Sequence, residues 1–242
     1  MELRGRRALV TGAGVRLGRA IAHGLIRRGV DVAIHYHQSS HGARATAVEG
    51  EAAGVKAALL QADLRDAAQA EALAGRARDG LGGLDIVVNS AAIMERRPLA
   101  EVGPDDWDRT LDLNLRGAFF VAKGAASVMA EQGGAIVNLA DIGAFERWKQ
   151  YPAHCISKAG VVAMTELLAK ALAPKIRVNA VAPGAVLLPD DWSDAARARL
   201  VDSTPLRRLG TPADVVGAVV FLLEQDFVTG ETLVVDGGRL AR

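Results

Sequence analysis

Cysteine is nearly absent: Cys155 is the one thiol in 242 residues, so neither an internal disulfide framework nor a multi-cysteine metal site is available. Aromatic residues make up 4% of the chain, with only two tyrosines, Tyr36 and Tyr151. Trp107, Trp148 and Trp192 lie far apart in the sequence and do not form the basic-interleaved run of a nucleic-acid stacking platform. An excess of one charge is missing too. With 29 basic against 28 acidic side chains, the formal charge of +1 implies neither a nucleic-acid nor an acidic-membrane partner. The longest apolar run, Val215 to Leu223, is far shorter than the roughly 20 residues that cross a bilayer. The opening Met-Glu-Leu-Arg-Gly-Arg-Arg is charged and unlike a signal peptide, so a soluble cytoplasmic protein is expected. His23 and His41 have no metal-ligand companions at useful spacing, and no metal is expected.

What is present is a core. Half of the residues are hydrophobic and 24% are charged, the balance of a folded globular chain. Strand-length apolar runs recur at Ala8–Val10, Val32–Ile34, Ala57–Leu60, Ile86–Val88, Ile136–Leu139, Val178–Val181 and Leu233–Val235. Alanine-rich stretches with helical spacing lie between them, among them Leu17–Arg28, Ala67–Arg78, Trp107–Met129 and Ala159–Ala171. Strands that are apolar throughout, instead of alternating, are buried on both faces. The pattern predicts an α/β fold: a doubly wound parallel sheet of the Rossmann type in three α/β/α layers, as a single domain over 1–242. The charged, proline-containing stretch 186–208 after the sixth strand reads as a substrate-binding lid.

The first strand runs into Thr11-Gly12-Ala13-Gly14-Val15-Arg16-Leu17-Gly18 and then a helix. A glycine-rich turn in that setting lets backbone amides approach a pyrophosphate, whose charge the helix N-terminus favours. Gly12, Arg16, Leu17 and Gly18 are therefore candidate cofactor contacts. The second strand ends His35-Tyr36-His37-Gln38-Ser39, with Tyr36 where an acid would meet a ribose 2′-hydroxyl. Arg16, His37 and Ser39 can instead meet a 2′-phosphate, which points to NADPH/NADP over NADH.

From end to end the chain resembles the short-chain dehydrogenase/reductases. The landmarks are Thr11-Gly12 through Gly18, Ala62-Asp63-Leu64, Asn89-Ser90-Ala91-Ala92, Asn114, Ser157-Lys158-Ala159, the Val178–Gly184 stretch and Val234–Gly238. Arg16, where most members carry glycine, and His35-Tyr36-His37-x-Ser39 resemble the pteridine reductases within that family. The resemblance implies that Asp63 and Leu64 flank the adenine, and that Asn89, Ser90 and Ala91 pass beneath the cofactor. It implies further that Pro183, Gly184 and Val186 border the nicotinamide, and that the chain forms a homo-oligomer, a dimer or tetramer.

The family's usual catalytic set is asparagine, serine, tyrosine and a lysine four residues after the tyrosine. Asn114 and Lys158 match it, the lysine also holding the nicotinamide ribose. The residue four before Lys158 is His154, and Asp141 stands where serine is usual. Aspartate there is another pteridine-reductase-like feature; histidine for tyrosine is not. On a helix His154 and Lys158 share a face. The lysine disfavours an imidazolium and an ionised Asp141 favours it, so spacing alone leaves the protonation of His154 open. Cys155 points about 100° away and reads as a buried small residue. The expected activity is NADPH-dependent hydride transfer to a carbonyl or C=N bond of a small, pteridine-like molecule. A sugar, alcohol or 3-oxoacyl substrate is the first alternative, and a catalytically impaired nucleotide-binding protein the second.

Overall fold

The structure, a computed structural model, describes residues 1–188 and 192–241. Seven strands form one sheet: β1 (Arg7–Val10), β2 (Asp31–Tyr36), β3 (Ala57–Gln61), β4 (Ile86–Asn89), β5 (Gly134–Leu139), β6 (Ile176–Pro183) and β7 (Thr232–Val235). Their order is β3-β2-β1-β4-β5-β6-β7 and every pairing is parallel. Each apolar run thus finds a strand, because a parallel sheet with helices on both faces gives continuous apolar sequence a place to be buried. Leu9 shows the register, opposite Ala33 on one side and Val87 on the other.

Nine helices are described: α1 (Arg16–Ile26), α2 (Ser40–Ala52), α3 (Ala67–Leu81), α4 (Pro104–Leu111), α5 (Ala118–Val128), α6 (Gly143–Glu146), α7 (Pro152–Leu172), α8 (Asp194–Asp202) and α9 (Pro212–Glu224). One core layer joins Ile21 and Leu25 of α1 to Val219 and Leu222 of α9 against the sheet. The other joins Leu73 of α3, Val121 of α5 and Val161 of α7 against the opposite face. Caps set several starts: the Asp66 carboxylate accepts from the Ala68 and Gln69 amides, and Thr211 with Asp214 forms a capping box ahead of Pro212. The winding reverses between β1 and β4, which opens a crevice at the carboxyl ends of these strands.

Two segments depart from the expected pattern. The single helix foreseen over Trp107–Met129 is α4 and α5 joined through a π-helical turn, Asp112–Gly117, that carries Asn114. Gly117 belongs there because a Cβ would lie 2.6 Å from the Leu64 carbonyl oxygen. Helix α7 begins at Pro152, ahead of the alanine-rich stretch Ala159–Ala171, so His154 and Lys158 both stand in its first two turns and share a helix, as expected. The stretch 186–208 contains α8, started by the Ser193 hydroxyl accepting from the Ala196 amide. Pro189, Asp190 and Asp191 of that stretch, and Arg242, lie outside the described residues. No described helix is long and apolar enough to cross a membrane.

Candidate active site

The turn after β1 is built for close approach. Gly12 has φ +66°, and a Cβ there would sit 2.9 Å from the Ala91 Cα. A Cβ on Gly18 would run into the Gly12 carbonyl. Arg16 also adopts a left-handed conformation, φ +50°, which explains a glycine preference at this position and costs a side chain about 1 kcal/mol. Its guanidinium donates to the Leu187 carbonyl, tying the glycine turn to the start of the 186–208 segment. The hydroxyl of Thr11 accepts from the Ser90 and Ala91 amides at 2.9 and 3.0 Å, which fixes the next strand's exit beneath the turn.

His35 clamps the same turn from below. Its Nδ1 accepts the Gly12 amide at 3.1 Å, and its Nε2 lies 3.2 Å from the Ala62 carbonyl. A carbonyl only accepts, so Nε2 carries the hydrogen and the ring is neutral. Burial pushes its pKa down to about 4.

Above this turn lies a groove of about 490 Å³, within the range of small-ligand sites. It brings together Gly12, Arg16, Leu17 and Gly18 from the turn with His37 and Ser39 after β2. Asp63, Leu64, Ser90 and Ala91 line it as well. Other expected contacts lie elsewhere. Tyr36 is 8% exposed and packs in the core, because alternate residues of β2 face opposite sides of the sheet. The Asn89 side chain is buried, donating to Asn138 Oδ1 at 3.0 Å and to the Ala118 carbonyl. Lys158, Pro183, Gly184 and Val186 are outside the groove's described lining. Arg65 was not foreseen. It forks onto Asp63, neutralises its charge and holds that carboxyl at a pKa of about 2.

The expected catalytic residues meet at the mouth of β5 and the start of α7. His154 is 4% exposed, and its Nδ1 lies 3.2 Å from the Ile93 carbonyl. That partner requires a hydrogen on Nδ1, which leaves Nε2 as the lone-pair nitrogen of the neutral ring. Nε2 is buried with no hydrogen-bond partner among the described residues, 3.9 Å from Asp141 Oδ2. The other oxygen of Asp141 accepts from the Gly143 amide at 2.7 Å. Asn114 fixes the Ile93 main chain from both sides: its Oδ1 accepts the Ile93 amide at 2.8 Å, and its Nδ2 donates to the Ile93 carbonyl at 2.9 Å. The same Nδ2 reaches the Ser157 hydroxyl at 3.0 Å. Both amide hydrogens of Asn114 are thereby engaged with protein.

Lys158 donates to the Leu139 carbonyl at 2.6 Å, and complete burial pulls its pKa down to about 8 against the opposing charge of Asp141. Trp148 lies parallel to the His154 ring, 6.5 Å between centroids and 3° between planes. Cys155 is buried as expected, its sulfur accepting the Trp148 amide at 3.3 Å, with burial raising its pKa.

A family model described as enoyl-(acyl carrier protein) reductase matches residues 12–239. The chain belongs to the short-chain dehydrogenase/reductase family. Within that family, L-rhamnose 1-dehydrogenase (NAD(P)(+)) of Sphingomonas is 36% identical over 98% of this chain and 96% of its own length. A short-chain dehydrogenase/reductase variant from Serratia marcescens superposes with a TM-score of 0.93 at 32% identity, covering 100% of both chains. FolM alternative dihydrofolate reductase 1 of Brucella canis, complexed with NADP, gives a TM-score of 0.92 at 30% identity over 98% of this chain and 95% of that one.

Proposed function

We propose that this short-chain dehydrogenase/reductase transfers hydride from NADPH to a carbonyl or C=N bond of a small, pteridine-like molecule, with His154 in the proton-transfer role. The observation that carries the reading is the buried, unpartnered Nε2 of His154, held beside Asp141 and one helical turn from Lys158. Bound nicotinamide would supply the hydride. As an imidazolium, His154 gives the Nε2 proton to the substrate's oxygen or nitrogen and regains one from solvent; in the oxidative direction the neutral ring takes the proton from the substrate's hydroxyl or amine. Nδ1 keeps its hydrogen on Ile93 in both states, so the ring needs no reorientation. Asp141 balances the imidazolium charge, and the Lys158 ammonium holds the nicotinamide ribose. Asn114 acts by fixing the Ile93 carbonyl that anchors the ring. A relay water on Asn114 would use the remaining lone pair of Oδ1.

Preference for NADP(H) rests on the end of β2. No carboxylate stands there, the groove offers Arg16, His37 and Ser39, and the nearest acid, Asp63, is neutralised by Arg65. The pteridine-like substrate rests on Arg16 and Asp141, and on the likeness to the Brucella enzyme. A second reading, oxidation of a sugar or alcohol, is favoured by the rhamnose dehydrogenase relative and by the same ring, since a neutral His154 is a base at Nε2. Residues 186–208 would close over the substrate, tethered through Leu187 to Arg16. Phe119, Ile156 and Leu167 of α5 and α7, exposed on the single chain, would meet a second copy.

The test is NADPH oxidation with dihydrobiopterin, dihydrofolate, a diketone and an acetoacetyl ester, beside NADP reduction with aldoses and simple alcohols. The pterins should turn over fastest. Silence across the panel despite tight NADPH binding would favour an impaired enzyme.

A further inference from the structure

Trp148 is held more firmly than a residue of an exposed loop requires. Its indole Nε1 donates to Glu146 Oε2. Glu146 also receives a two-point contact from Arg239 of the C-terminal tail, Nε to Oε1 at 2.7 Å and Nη2 to Oε2 at 3.0 Å. Both side chains of that ion pair are three-quarters shielded, the geometry in which a forked guanidinium–carboxylate contact is strong. The tail is itself pinned, with Asp236 accepting from the Gly238 and Leu240 amides at 2.8 and 2.7 Å. Beneath the indole, a Cβ on Gly143 would come within 3.1 Å of its ring, and the edge of Tyr151 packs against it at 6.1 Å between centroids. Its main-chain amide rests on Cys155.

All this fixes one ring over another. The indole is parallel to the imidazole of His154, and the Nε2 atom of that imidazole has no solvent-accessible surface of consequence. We propose that Arg239 and Glu146 are positioning residues that hold Trp148 as a roof over His154, so that the C-terminal tail governs access to the proton-carrying nitrogen. The charged and titratable groups around the two rings are Asp141 before α6, Glu146 at its end, Tyr151, Cys155 and Lys158 on or beside α7, and Arg239 on the tail. Arg239 is the member that links this cluster to a segment remote in sequence. The inference takes from the proposed function only that Nε2 is the reacting atom.

Carbethoxylation of histidine tests it without any substrate. The rate at His154 is followed by peptide mapping, with exposed His41 in the same sample as internal reference. Wild-type His154 should react far more slowly than His41. Arg239→Gln and Glu146→Gln should each speed reaction at His154 by about tenfold, the weight of one charge-assisted hydrogen bond, and leave His41 unchanged. Arg239→Lys, which keeps a charge but loses the fork, should fall between. In a Trp107→Phe, Trp192→Phe background, quenching of Trp148 emission by added acrylamide should rise about twofold or more in Glu146→Gln, as the indole loses its hydrogen-bonded anchor. His154 reactivity and Trp148 quenching that stay at wild-type values in both glutamine variants would overturn the proposal. Because neither readout needs turnover, an inactive wild-type enzyme would count against the proposed function and not against the roof.

Discussion

Lys158 and His154 are four residues apart on one helix, yet their surroundings set them different tasks. Lys158 is wholly buried with one carbonyl partner, an arrangement that burdens the fold with a charge. Its folded pKa of about 8 lies below the ordinary 10.5. The penalty is therefore full below pH 8 and fades as pH rises towards 10.5. Lys158→Met should raise stability at pH 7 by roughly 1–3 kcal/mol while abolishing cofactor-dependent turnover. Urea denaturation at pH 7 and pH 10 checks this; the gain should shrink at the higher pH. The spacing of His154 to Lys158 and to Asp141 was legible in the sequence. The tautomer of His154 was not, because it is dictated by the main chain of Ile93, 61 residues away, which any residue type would offer. The Trp148–Glu146–Arg239 contact was hidden for the same reason, its last member lying 93 residues from Glu146.

At the level of elements, the end of β2 carries two neighbours with opposite fates. The pleat turns Tyr36 into the core and His35 under the glycine turn, so the residue read as a cofactor contact packs inside and its neighbour shapes the site. His35 must stay neutral to accept the Gly12 amide. Its folded pKa of about 4 is below the unfolded 6.5, so the unfolded chain binds more protons between those values and stability falls as pH drops through that window. The loss should approach about 3 kcal/mol by pH 4. His35→Gln should flatten this part of the pH–stability curve, as followed by thermal or urea unfolding from pH 7 to 4. The strands were readable because apolar runs have one destination in a parallel sheet. Helix α2 was less so, being polar and glycine-containing, with Thr46 and small residues as its buried face. The π turn at Asn114 was unreadable because it arises from packing: Gly117 against Leu64, and Asn114 against Ile93.

For the whole molecule, the two halves of the sheet meet at a groove whose walls come from distant parts of the chain, so cofactor binding should stabilise the fold as a unit. At a hundredfold excess over Kd, NADPH should add about 2.7 kcal/mol, or roughly 5 to 10 °C in Tm for a chain of this size. At equal concentration NADH should add less, since it lacks the phosphate that Arg16, His37 and Ser39 would meet. Equal shifts in a thermal melt would contradict the assignment of that end of the groove.

The most direct measurement combines turnover and binding in His154→Gln, whose side chain can still reach a carbonyl but cannot act as an acid or base. On the best substrate of the panel, NADPH oxidation should fall by about 100-fold or more, while NADPH affinity, read by fluorescence titration, stays within about twofold of wild type. Wild-type turnover in that variant would contradict the role given to the imidazole.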